Sequence, residues 1–198
     1  MKKLLAIIVL SLFLTTTSWS DDVQDYQLEG MSIGDSFLNY ISAELLIKEL
    51  NNKYTIWYHN KKFASVSLWE EREKFKVYQD VSVVIKPADK EYKIYALEGV
   101  LRFGQNIEKC YEEQKKRVSE FKKIFGKSVN LKSWAANVFE EKYLKIVKYE
   151  DFTFASGAQF RIICYDLHEG YEQRQDNMYI TLNSKEFTDF LYKYHSTN

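Results

Sequence analysis

The apolar positions of this chain change period several times, and each change marks an element. From Ser32 the spacing is helical: Phe37, Leu38, Ile41, Leu45 and Leu46 recur three and four residues apart. Ser42 is placed to cap a second piece, ISAELLIKEL, so the segment reads as one helix or two short ones, ended by Asn51-Asn52. KYTIWY, residues 53–58, is rich in β-formers and predicts a strand, followed by the polar turn His59-Asn60-Lys61-Lys62. Residues 63–76 fit either a short helix, with Ser67 and Glu70 as a capping box, or an irregular loop.

Alternation then takes over. Val81, Val83 and Ile85 alternate with polar residues, Pro87–Lys90 is a turn, and Tyr92, Ile94 and Ala96 alternate again. Glu98-Gly99 reads as a tight hairpin turn, with Val100–Phe103 running back. Three strands joined this closely predict an antiparallel meander, because parallel crossovers need a dozen or more residues. A long amphipathic helix follows, with Ile107, Cys110, Tyr111, Val118, Phe121, Ile124 and Phe125 in one stripe and Gly126 as its stop. Its acids lie early and its bases late, which suits the helix dipole. Residues 127–141 show no clear period. Tyr143–Tyr149 and Phe160–Leu167 predict two strands around an Ala155-Ser156-Gly157 turn. Met178, Ile180 and Leu182 predict a last strand, and Asn183 with Glu186 caps a last helix whose apolar face is Phe187, Phe190, Leu191 and Tyr194. The expected fold is α+β: a single domain with an antiparallel meander sheet of about five to seven strands and helices packed on one face.

The first twenty residues follow a different grammar. Lys2 and Lys3 precede the apolar run Leu4–Leu14, and Ser18 and Ser20 are small residues before Asp21. This layout predicts a cleavable signal peptide over 1–20, leaving one globular domain over 21–198, exported to the periplasm or secreted. The apolar run is shorter than the roughly 20 residues of a membrane-spanning helix. No later segment is apolar enough to span, so no transmembrane segment is expected in the mature chain.

Charge adds little. The chain carries 28 basic and 28 acidic residues, and loss of Lys2 and Lys3 leaves a slight acidic excess. A nucleic-acid footprint would need a basic domain, so nucleic acid is not expected as a partner. Aromatic residues make up 16% of the chain and Lys far outnumbers Arg; codon bias in an AT-rich genome accounts for both. Cys110 and Cys164 are the only cysteines. An even count in an exported chain favours one disulfide between them, with Cys110 on the helix stripe and Cys164 in a strand. Closing that loop would contribute at most about 4 kcal/mol. Metal ligation and two buried thiols are the alternatives. No Cys-x-x-Cys, Cys/His or His-Glu-x-x-His spacing is present, so no metal is expected, and without a Gly-rich phosphate loop no cofactor is expected either.

Gly34-Asp35-Ser36 raises one catalytic reading. It resembles the nucleophile block of the GDSL-type serine esterases, which would make Ser36 the nucleophile. A serine hydroxyl needs a base and oxyanion donors. The resemblance covers three residues. No Gly-x-Asn-Asp block follows, Asp166-Leu167-His168 is spaced two apart where that family has three, and His195 has no Asp three before it. A capped turn explains the same residues: Asp35 pairs with Ser32 or is itself the cap, and Gly30 and Gly34 redirect the backbone. Asp166, His168 and Glu169 read as a polar strand end. His59, His168 and His195 are scattered.

A wider resemblance rests on EGMSIGDSFLNYIS, EYKIYALEGVLRF and NIEKCYEE. These look like an uncharacterised group of small secreted bacterial proteins that combine an E-G-[MI]-S-I-G-D-S opening with a later N-I-x-x-C-Y helix. It spans roughly residues 28–117 and the strand with Cys164, and implies export and a shared fold without an activity. Gly30-Met31-Ser32 before a short helix is also similar to small outer-membrane assembly lipoproteins, whose lipidated Cys this chain lacks. The expected function is a non-catalytic binding or interaction module of the cell envelope, with an unknown protein or small ligand as partner. The alternative is the GDSL-type esterase using Ser36.

Overall fold

The computed structural model describes residues 22–126, 128–137, 144–168 and 175–195. The leader expected over 1–20, and Glu169, lie outside them.

The chain enters through a small hairpin, β1 (Gln27–Leu28) and β2 (Met31–Ser32). Its two-residue turn holds Glu29 at φ 51° and Gly30 at φ 84°, the left-handed pair that matches the twist of a tight hairpin. A 3₁₀ turn at Phe37–Asn39 leads to helix α1 (Ala43–Leu50), so the first helical segment is two pieces. The Ser42 hydroxyl accepts from the Leu45 N–H as its cap.

Among the described residues eight strands make the main sheet: β3 (Ile56–Trp57), β4 (Ala64–Ser67), β5 (Asp80–Ile85), β6 (Ile94–Arg102), β7 (Val129–Asn137), β8 (Leu144–Phe154), β9 (Gln159–Leu167) and β10 (Asn177–Asn183). Their order is β3-β4-β5-β6-β10-β9-β8-β7, and every pairing is antiparallel. The sheet is therefore two four-strand meanders, β3–β6 and β7–β10, joined by the β6–β10 pair. Helix α2 (Ile107–Phe125) carries the chain from one to the other, and α3 (Lys185–His195) follows β10.

Register explains which side is core. Val66, Val83, Leu97, Leu182, Phe160 and Phe152 are successive cross-strand partners from β4 to β8, and all are buried. They point to one face, where α2 seats Phe121 and Phe125 against Phe152 and Phe160, with Tyr26 against the same cluster. Burying side chains of this size stabilises by roughly 1.5–3 kcal/mol each. The high aromatic content is thus spent largely on packing. Cys110 of α2 and Cys164 of β9 stand at disulfide distance, S–S 1.99 Å and Cα–Cα 6.1 Å. One turn along, Gln114 donates to the Lys148 and Ile162 carbonyls at 3.1 and 3.0 Å, so the buried amide also ties α2 to the sheet.

The α+β architecture agrees with the sequence pattern, with four differences. The sheet has eight strands plus the hairpin pair, above the expected five to seven, because residues 64–67 and 129–137 are strands; the latter is a half-exposed edge whose alternation is blurred by polar residues. Helix α3 lies on the opposite face from α2, with Phe187 and Phe190 over Phe63, Val84 and Ala96. Its cap is Ser184, whose hydroxyl accepts from the Phe187 N–H, while Asn183 is still strand. Glu98-Gly99 is the middle of the nine-residue strand β6. Gly99 is required there because a Cβ would lie 2.6 Å from the Tyr78 ring, a contact the short hairpin reading did not foresee.

Candidate functional site

The residues of the esterase candidate are engaged by the backbone around them. Ser36 opens the 3₁₀ turn and donates its hydroxyl to the Glu91 carbonyl at 2.7 Å. Asp35 accepts from the Ser32 N–H at 3.0 Å, which closes the Ser32–Asp35 turn and leaves the helix start to Ser42. The segment runs beside β6: Gly34 donates to the Ile94 carbonyl and Ile94 to the Asp35 carbonyl, both at 2.9 Å. The esterase block expects a strand-to-helix elbow in a parallel sheet, and this sheet is antiparallel throughout. No hydrogen bond joins Ser36 to a histidine among the described residues. His59 stacks on Tyr194 at 4.2 Å, and His168 is exposed at the end of β9. Among the described residues no group of three or more His, Cys, Asp or Glu is placed to hold a metal ion.

Register points to another place. One residue from the apolar row, the partners Ser67, Ser82, Glu98, Thr181, Arg161, Asp151 and Lys132 run across the sheet on the other face. This row is polar from end to end. Arg161 and Asp151 close one half of it with an ion pair at 2.7 Å. The other half opens into a cleft of about 550 Å³, within the range of small-molecule sites.

Its floor is sheet: Ser67, Ser82, Glu98, Val100 and Tyr179. Its walls are the end of α1 with the following turn (Glu49, Asn52, Tyr54, Thr55) and the 3₁₀ segment carrying Trp69 and Glu70. Asp80 and Arg102 form an ion pair across β5 and β6 at one end. Glu70 is matched by Lys48 at 2.6 Å. Arg72 lies over the Trp69 ring at 4.3 Å.

Two cleft carboxylates, Glu98 and Glu49, have no cation at ion-pair distance among the described residues. Glu98 sits mid-strand with no hydrogen-bond partner among the described residues, and burial pushes its carboxyl up to about 7. Its burial is not matched by any compensating donor, so its charged form is costly in the closed protein. Glu49 is 6% exposed; one oxygen accepts from the Asn52 amide at 3.0 Å, while Oε1 has no partner. Asp80 Oδ1 and Thr181 Oγ1 are likewise buried without a partner. Orphaned acceptors of this kind are uncommon, and each calls for an explanation.

None of these residues was a candidate from sequence. Glu98 was hidden by the turn-like Glu-Gly pair, and Glu49 by an ordinary helical run. The stretch Ala96–Arg102 does not alternate apolar with polar residues, so no local pattern carries the strand through the Glu-Gly pair.

Comparisons with family models, curated proteins and solved structures return no match for this chain.

Proposed function

We propose that the chain is an exported, non-catalytic binding module of the cell envelope, and that its ligand occupies the cleft over Glu98. The observation that carries the reading is the set of buried, unpartnered acceptor oxygens of Glu49, Asp80 and Thr181 at or beside a cleft between Tyr54, Trp69 and Tyr179. Polar atoms left unsatisfied in a fold lower its stability, and a ligand that supplies donors recovers that loss. Export is supported by the leader pattern and by a cysteine pair at disulfide distance. The resemblance to small secreted bacterial proteins points the same way.

Two experiments test this. Expression of the full chain in a bacterium, followed by fractionation and intact mass, is expected to give a periplasmic or secreted chain starting at Asp21; a cytoplasmic, unprocessed chain removes the export reading. Thermal unfolding of residues 21–198 against a panel of small amines, sugars, dicarboxylates and nucleotides is expected to show a ligand-dependent rise in Tm that a cleft-filling Ser82→Trp variant abolishes. A silent panel, or an unchanged response in Ser82→Trp, refutes the cleft. Ester hydrolysis that disappears in Ser36→Ala would replace binding with catalysis.

A further inference from the structure

Resting on the cleft reading, we propose that the ligand is a small primary ammonium compound, bound by Glu49 and Glu98 and flanked by Tyr54, Trp69 and Tyr179.

The argument is a matching of charges and donors. Of the carboxylates lining the cleft, Asp80 is paired with Arg102 and Glu70 with Lys48. Glu49 and Glu98 remain, with no cation at ion-pair distance among the described residues. A ligand that completes the site must therefore bring positive charge. It must also bring N–H donors, because Glu49 Oε1 and Asp80 Oδ1 are acceptors without a partner. Ser67 and Ser82 add hydroxyls on the floor. An –NH₃⁺ group carries three donors and no acceptor, which suits such a set. A quaternary ammonium has the charge without the donors. A sugar has donors without the charge, and would leave the buried Glu49 carboxylate uncompensated. Among the described residues no ligand cluster for a bare metal ion is present. The aromatic walls suit the alkyl part of an amine, and Trp69 already carries one cationic group, Arg72, on its ring.

Protonation supplies a second readout. The groups facing Glu98 are Asp80 and Arg102 at the end of the cleft, Glu49 across it, and the phenols of Tyr58, Tyr165 and Tyr179. The phenols that Glu98 acts on are all pushed up and stay neutral at pH 8, so Glu98 is the group that changes charge between pH 6 and 8. An ammonium ligand binds its ionised form, and affinity should rise by about tenfold over that interval.

The test is calorimetric titration of residues 21–198 with 1,4-diaminobutane at pH 6 and pH 8, beside choline, glucose and succinate. The expected result is tighter binding of the diamine at pH 8, choline weaker by about tenfold or more, and loss of the pH dependence in Glu98→Gln. Glu49→Gln should weaken the diamine by about tenfold or more at both pH values, as loss of a charge-assisted hydrogen bond does. Ser82→Trp should remove binding. No heat from the diamine at millimolar concentration overturns the assignment, as does binding that persists in Ser82→Trp. Glucose or succinate binding that Ser82→Trp removes would leave the cleft as the ligand site while overturning the ammonium class.

Discussion

Replacing Glu98 with glutamine should make the protein more stable, and only at higher pH. In the fold the carboxyl titrates at about 7; its ordinary value is 4.5. A carboxyl raised in this way favours the folded state when protonated. That contribution is fully present below the unfolded pKa and is lost as pH rises through the folded one. The separation of the two values, at about 1.4 kcal/mol per pH unit, sets a ceiling of about 3 kcal/mol. Glu98 is half-buried, and water entering the cleft screens part of the cost, so about 1–3 kcal/mol is expected at pH 8. Glutamine keeps the shape and cannot ionise. Urea unfolding of wild type and Glu98→Gln, disulfide intact, should give midpoints that coincide near pH 4 and diverge towards pH 8, the variant being the more stable, with equal m-values. An equal difference at both pH values, or a less stable variant at pH 8, would show that Glu98 is not held by burial alone.

Three further outcomes follow from the same geometry. Glu29 accepts from the Lys76, Val77 and Tyr78 N–H groups at 2.9, 2.8 and 3.0 Å; burial alone would raise its pKa, but these bonds hold it below the ordinary value. Glu29→Ala should therefore cost about 1–3 kcal/mol at pH 7, an effect that shrinks as acid titrates wild type through that lowered pKa, read by thermal unfolding across pH. Gly99→Ala drives a Cβ against the Tyr78 ring and should cost about 1–3 kcal/mol in the same assay. Intact mass of residues 21–198 should show no free thiol, and Cys110→Ser with Cys164→Ser should lower stability by about 2–4 kcal/mol.

How far the sequence could be read depended on whether local pattern and tertiary environment agreed. They agree in α2, where the apolar stripe and the Gly126 stop coincide with the observed helix and its end. They also agree at Ser42 and in β10, whose alternating Met178, Ile180 and Leu182 face the packed side. They part where a residue serves something distant in sequence. Gly99 looks like a turn glycine because its reason for being small, the Tyr78 ring, arrives from twenty-one residues upstream and only through the fold. Reading Glu98-Gly99 as a turn then removed Glu98 from the sheet, and with it the polar row, which exists only once seven strands are in register. Glu49 is a similar case: within its helix it is one more acid, and its isolation follows from the segment to Thr55 folding back over it, where the Thr55 hydroxyl donates to its carbonyl. The most recognisable motif of the chain, Gly34-Asp35-Ser36, is by contrast already engaged, through bonds to Ser32, Tyr40, Glu91 and Ile94. The residues whose hydrogen bonding is incomplete carry no motif, and it is these that give the cleft something to exchange with a ligand.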